Sequence, residues 1–112
     1  RKVKVAQDKI RDRVINVLET MIEGLERHGV IEEGATKPSK FGNSIIANVK
    51  ELADILPDLN IFGDDQLDIA ANKILSKLRH ANPDELRESE DKRKETIKDA
   101  KNIVDSLSGF YD

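Results

Sequence analysis

Cysteine is missing from the 112 residues, and with it go disulfides, thiolate zinc sites and cysteine nucleophiles. A cysteine-free chain suits a reducing compartment, and no charged, apolar, small-residue pattern at the start marks a signal peptide. The expected location is therefore the cytoplasm. No apolar run approaches the roughly 18 residues a bilayer span needs, so no membrane partner is expected. Aromatic residues are few: Phe41, Phe62, Phe110 and Tyr111. The core must be built mainly from Leu, Ile, Val and Ala, as helix bundles are. Charge of neither sign dominates, and a formal −3 gives no general prior for nucleic acid or anionic lipid.

What remains is 38% apolar and 37% charged, a balance that suits helices with one buried face and argues against a sheet covered on both sides. The length fits one domain with one core. The chain opens on Arg1-Lys2 with no initiator Met and is soon in helical register. One helical domain over residues 1–112, cut from a longer protein or processed, is the expectation.

The most organised stretch is Val14 to Leu25. Wound at 100° per residue, Val14, Ile15, Val17, Leu18, Met21, Ile22 and Leu25 fall within an arc of about 160°. That is wide enough to touch two or three other helices, so helix 1, from about Lys2 to His28, is expected as a central rod. Gly29 fits the left-handed position after its end, with Val30 as the apolar residue behind it. Residues 30–40 contain Gly34 and Pro38 and no periodicity, and read as a surface loop.

Helix 2 is expected to start between Ser39 and Ser44 and to stop at Leu56, because Pro57 disfavours helical conformation in the residue before it. Its inward face is Phe41, Ile45, Ile46, Val49, Leu52, Ala53 and Leu56. The link that follows carries Leu59, Ile61 and Phe62, apolar enough to close one end of the core. With Gly63 as N-cap, Phe62 and Leu67 would form a hydrophobic staple at the start of helix 3. Helix 3 runs to about His80 with Leu67, Ala70, Ala71, Ile74, Leu75 and Leu78 inward and Ile69 alone on the polar side. Asn82-Pro83-Asp84-Glu85 supplies an Asn cap, Pro at N1 and Glu at N3. A short turn at 83–88, a break near Ser89 and a last helix from about Glu90 to Ser108 complete an all-α bundle of four main helices. One continuous helix is the alternative.

Three constellations bear on function. Asp64, Asp65 and Asp68 form a D-D-x-x-D, and Glu85, Glu88 and Asp91 follow. Carboxylates clustered on neighbouring helices are how all-α Mg²⁺-dependent nucleotide hydrolases hold a hard cation. Both groups, however, sit where helix capping alone would place them. Residues 1–13 carry six bases against Asp8 and Asp12. That is the wrong sign for a helix N-terminus and costs a few tenths of a kcal/mol up to about 1. Lys4, Lys9, Arg11 and Arg13 are the residues that would touch phosphate, without sequence readout. A helix-turn-helix over helices 2 and 3 fails, since its link is too long and it would present Asp64, Asp65 and Asp68 to the duplex.

His28 and His80 each fall at a helix C-terminus, where a protonated imidazole suits exposed carbonyls. Neither has a Ser and an acid at triad spacing, and G-A-T-K-P-S-K is not a phosphate loop. That leaves Ile69, Phe110 and Tyr111 as residues to meet another protein. The function expected is a non-catalytic interaction or assembly module that binds a protein partner or a second copy and needs no cofactor. A Mg²⁺-dependent hydrolase and a nucleic-acid accessory domain are the alternatives, with nucleic acid the less expected partner.

Overall fold

The computed structural model describes residues 2–31, 33–38, 40–60, 63–78 and 81–108, residues 2–7 by their backbone alone. It is all-α. The helices are α1 (Lys2–Arg27), α2 (Ser44–Leu59), α3 (Asp65–Lys77), α4 (Pro83–Glu88) and α5 (Glu90–Ser108). Among the described residues there is no strand, and no helix is long and apolar enough to cross a membrane.

The four long helices form a ring. Helix α1 packs on α2 and α5, α3 packs on the same two, and α1 and α3 face each other across the diagonal. The central rod expected of α1 is thus corrected to one corner of a four-helix bundle. Its wide apolar arc is divided instead of surrounded: Val14, Leu18, Met21 and Leu25 point to the common core. Val17 lies beside Leu52 and Ile55 of α2. Ile22 lies beside Val104 of α5. An arc of that width is what a helix with two flanking neighbours and a core needs.

The α1–α2 contact is close because Gly24 allows it. A Cβ at that position would stand 2.6 Å from Ile45 Cδ1 and 3.4 Å from Phe41 Cβ. Glycine costs about 1 kcal/mol in a helix interior, and here the missing side chain lets Ile45 of α2 lie against the backbone of α1.

The ends of the elements follow local chemistry, with five departures from expectation. Pro57 does not stop α2 at Leu56; the helix includes Pro57 and continues to Leu59. Leu56 is fully buried, and the Asn60 N–H closes the last turn on the Leu56 carbonyl over 3.0 Å. Burial and this closing bond outweigh the bias that proline exerts on its predecessor. The N-cap of α3 is Asp64, not Gly63. Its carboxylate accepts from the Gln66 N–H over 3.0 Å, an option a glycine lacks. Gly63 takes the left-handed turn before it, at φ +66°. Helix α3 ends at Lys77, short of His80, which with Phe62 of the expected staple lies outside the described residues.

Gly29 adopts φ +83° as expected, but Val30 does not fold back to cover the helix end. Its N–H bonds the Arg27 carbonyl at 3.0 Å and its side chain stays 49% exposed. The break at Ser89 is present. Its N–H caps α4 on the Glu85 carbonyl, and its Oγ accepts from the Lys92 N–H over 3.2 Å to open α5. Asn82 caps α4 through the Asp84 N–H at 2.9 Å, but Glu85 turns away from a capping box toward Lys92.

Candidate functional site

The acidic residues separate by role. At the α2–α3 corner, Asp64 is buried and its oxygens are committed. Oδ1 accepts the cap bond, while Oδ2 accepts from Arg11 Nε at 2.9 Å and from Arg11 Nη2. Asn60 folds over the same corner. Its Nδ2 donates to the Asp64 carbonyl at 2.8 Å and to Asp68 Oδ1 at 2.9 Å, while its Oδ1 accepts from the Asp64 N–H at 2.9 Å. Asp65 is exposed beside this network.

Glu85 and Glu88 lie on α4, which follows the other end of α3, a helix of 13 residues and so roughly 20 Å long. Glu85 accepts from Lys92 Nζ at 2.9 Å, and Glu88 and Asp91 are exposed. The two carboxylate groups foreseen as a single cation site are therefore not brought together. Among the described residues no three His, Asp or Glu side chains gather as metal ligands would. A cation at Asp64 would also have to displace a guanidinium.

The basic start of α1 divides in the same way. Arg11 is spent on Asp64, with only 13% of its side chain exposed. Lys9 and Arg13 are exposed, one helical turn apart. The Lys4 side chain lies outside the described residues.

A cluster not foreseen from sequence joins the opposite end of the bundle, where α1 finishes, α2 begins and α4 crosses onto α5. The rings of His28 and Phe41 meet with centroids 5.3 Å apart. The Arg87 guanidinium lies over Phe41, its Cζ 4.9 Å from the centroid, in cation–π geometry. Arg87 donates to the Phe41 carbonyl at 3.1 Å, to Asn43 Oδ1 and to Asp84 Oδ1 at 3.0 Å. The Arg87 carbonyl accepts from His28 Nε2 at 3.1 Å and from Arg93 Nη1 at 2.9 Å. Arg93 Nη1 also donates to the Leu86 carbonyl at 2.8 Å.

Since a carbonyl can only accept, Nε2 of His28 carries its hydrogen. Nδ1 is buried and has no hydrogen-bond partner. Burial holds the His28 pKa below its ordinary 6.5, and the Arg93, Arg87 and Lys40 charges push the same way against the Arg87 carbonyl. The protonated helix-end histidine expected from sequence is corrected to a neutral one that bonds another helix. The signal available in the sequence was Arg93 and Ser89 in the apolar stripe of the last helix, an interruption that marks where a polar contact must be made.

Among the described residues, large aliphatic side chains remain in solvent at two places. Ile69 on α3 is 42% exposed, and Val30 and Ile31, adjacent after α1, are 49% and 61% exposed. Phe110 and Tyr111 lie outside the described residues. The concavities between helices are open grooves; the one between α1 and α5 has Ile22 and Val104 at its base and Glu19, Glu23, Lys101 and Asp105 around it. Comparison with protein-family models, with curated proteins and with solved structures found no match.

Proposed function

We propose that the chain is a non-catalytic helical module that mediates assembly or partner binding within a larger cytoplasmic protein. The observation that carries this reading is the pair Val30 and Ile31, two adjacent aliphatics left largely in solvent, with Ile69 exposed on α3. Isolated exposed aliphatics are ordinary, but two adjacent ones in the segment just after α1 offer a small contiguous apolar area to a partner. The partner is a protein or a second copy of the chain, and no cofactor enters the reading.

Sedimentation of the chain across concentration tests it, together with recovery of partners by the full-length protein. A species larger than the monomer, or a partner, that is lost in Val30→Lys/Ile31→Lys or in Ile69→Lys supports the module. A chain that stays monomeric, in a full-length protein that recovers no partner, removes it.

One observation favours a second reading. Lys9 and Arg13 present two cations on one exposed face of α1, which would suit non-specific contact with phosphate. Binding to duplex or single-stranded nucleic acid that weakens with salt and with Lys9→Gln/Arg13→Gln supports it; no binding at low salt ends it.

A further inference from the structure

The His28 cluster helps hold α4 in place, and its geometry favours the neutral imidazole, whose Nδ1 has no hydrogen-bond partner. Helix α4 has six residues and, of the long helices, rests chiefly on α5. Its attachments are the buried Leu86 and the hydrogen bonds that Arg87 and Arg93 make at the junction. The Glu85–Lys92 pair adds an exposed contact to α5, and the bond from His28 Nε2 to the Arg87 carbonyl ties α4 to the end of α1. We propose that His28 makes α4 a pH-sensitive latch, closed while the imidazole is neutral and loosened when Nδ1 takes up a proton.

The argument starts from what a proton on Nδ1 would meet. That nitrogen is buried and faces no acceptor, so a new N–H there would be unsatisfied and the ring charge poorly solvated. Arg93 Nη1 and His28 Nε2 donate to the same carbonyl oxygen, so they are no more than about 6 Å apart, where like charges repel appreciably. The positive charges of Arg87 on α4 and Lys40 on the α1–α2 link also disfavour a protonated ring.

The carboxylates nearby are engaged elsewhere. On α1, Glu26 pairs with Lys101 at 3.2 Å. On α5, Glu90 pairs with Lys94 at 3.3 Å, and on α4, Asp84 pairs with Arg87. Glu26, Glu90 and Lys94 border the same groove as His28, and neither acid is hydrogen-bonded to the ring. The protonated ring is relieved only by reaching water. The smallest displacement that frees the half-buried ring turns it into that open groove, which gives up the bond to the Arg87 carbonyl and leaves α4 held by its other contacts alone. The latch does not depend on the assembly reading.

The test is an NMR titration of the chain from pH 8 to 5, following the Cε1–H of both histidines and the amides of residues 83–89 and 41–43. His28 should titrate below 6.5, and those amides should move with its midpoint. Hydrogen-exchange protection in α4 should fall by about tenfold for each pH unit by which the fold lowers the His28 midpoint.

His28→Gln can keep a donor for the Arg87 carbonyl without a titrating group, and should abolish the amide transition. His80→Gln should leave it intact. A His28 midpoint at or above 6.5 would overturn the latch, as would α4 amides that follow His80 or still titrate in His28→Gln. The titration of the unaltered chain decides the question even if the variant folds poorly.

Discussion

Arg11 of α1 and Asp64 at the start of α3 are 53 residues apart, and both Nε and Nη2 of the guanidinium donate to one carboxylate oxygen. The two helices are diagonal partners in the bundle and share little other contact. The pair therefore closes the end of the ring where α2 turns into α3, and it does so largely away from solvent. It also explains why the apolar stripe of α1 can be interrupted at Arg11 without loss of the bundle: the guanidinium is the group that meets the capped end of α3.

Removing either partner should cost more than any surface pair in the molecule. Arg11→Met leaves a buried carboxylate without its cation, and Asp64→Ala leaves a guanidinium and also removes the α3 cap. A loss of about 2–4 kcal/mol is expected for each, with Asp64→Ala the larger by about 1. Lys101→Ala, which breaks a pair whose side chains are about half exposed at 3.2 Å, should change stability by less than about 1 kcal/mol. Urea unfolding of the three variants checks the order, and a double-mutant cycle should return a coupling of about 1–3 kcal/mol for Arg11 with Asp64.

Gly24 is a spacing residue and should behave as one. Gly24→Ala removes the helix penalty of about 1 kcal/mol but drives a methyl toward Ile45 Cδ1, the far end of a flexible side chain. The two effects nearly cancel, so the midpoint of urea unfolding should move little. Gly24→Val adds branches that meet Phe41 as well and should lose about 1–3 kcal/mol by overpacking. A valine variant as stable as the parent would show that α1 and α2 are not held at this distance.

The elements were legible in the sequence where one force acted alone. Asn82-Pro83 opens α4, Ser89 breaks it from α5, and the i, i+3, i+4 stripes of α2 and α3 are the faces that are buried. They were not legible where a distant contact competed with a local rule. Pro57 reads as a stop because its effect on Leu56 is local, whereas the full burial of Leu56 is a property of the bundle. Arg11 reads as a phosphate contact in the sequence because its partner Asp64 lies 53 residues away. The His28 cluster draws on four separate segments, Phe41, Asn43, Arg87 and Arg93 among them, and no spacing rule connects those positions.

Global stability should carry the mark of His28 as well. The fold holds the imidazole below 6.5, so as pH falls the unfolded chain takes up that proton first. This contribution is complete above 6.5, declines as pH falls from there toward the folded value, and is flat below it. Thermal melts between pH 8 and 5 should show a fall in Tm that begins near 6.5, before the carboxylates titrate. In His28→Gln that early fall should shrink, and an unchanged profile would assign the slope to other groups.

Two aliphatic positions separate the part of the surface that folding needs from the part it leaves over. Leu18 has no exposure, at the centre of α1 and in contact with the common core, whereas Ile69 on α3 is 42% exposed. The same substitution should have opposite outcomes at the two. Leu18→Asp buries an unpaired carboxylate at a cost of several kcal/mol, a large part of the roughly 5–15 that a domain has, and should abolish the cooperative transition seen by circular dichroism. Ile69→Asp should fold with a stability within about 0.5 kcal/mol of the parent, as surface changes do. If it also removes a dimer or a partner, Ile69 is retained for contact with another protein. If it unfolds the chain, the Ile69 face is part of the core and the assembly reading loses one of its supports.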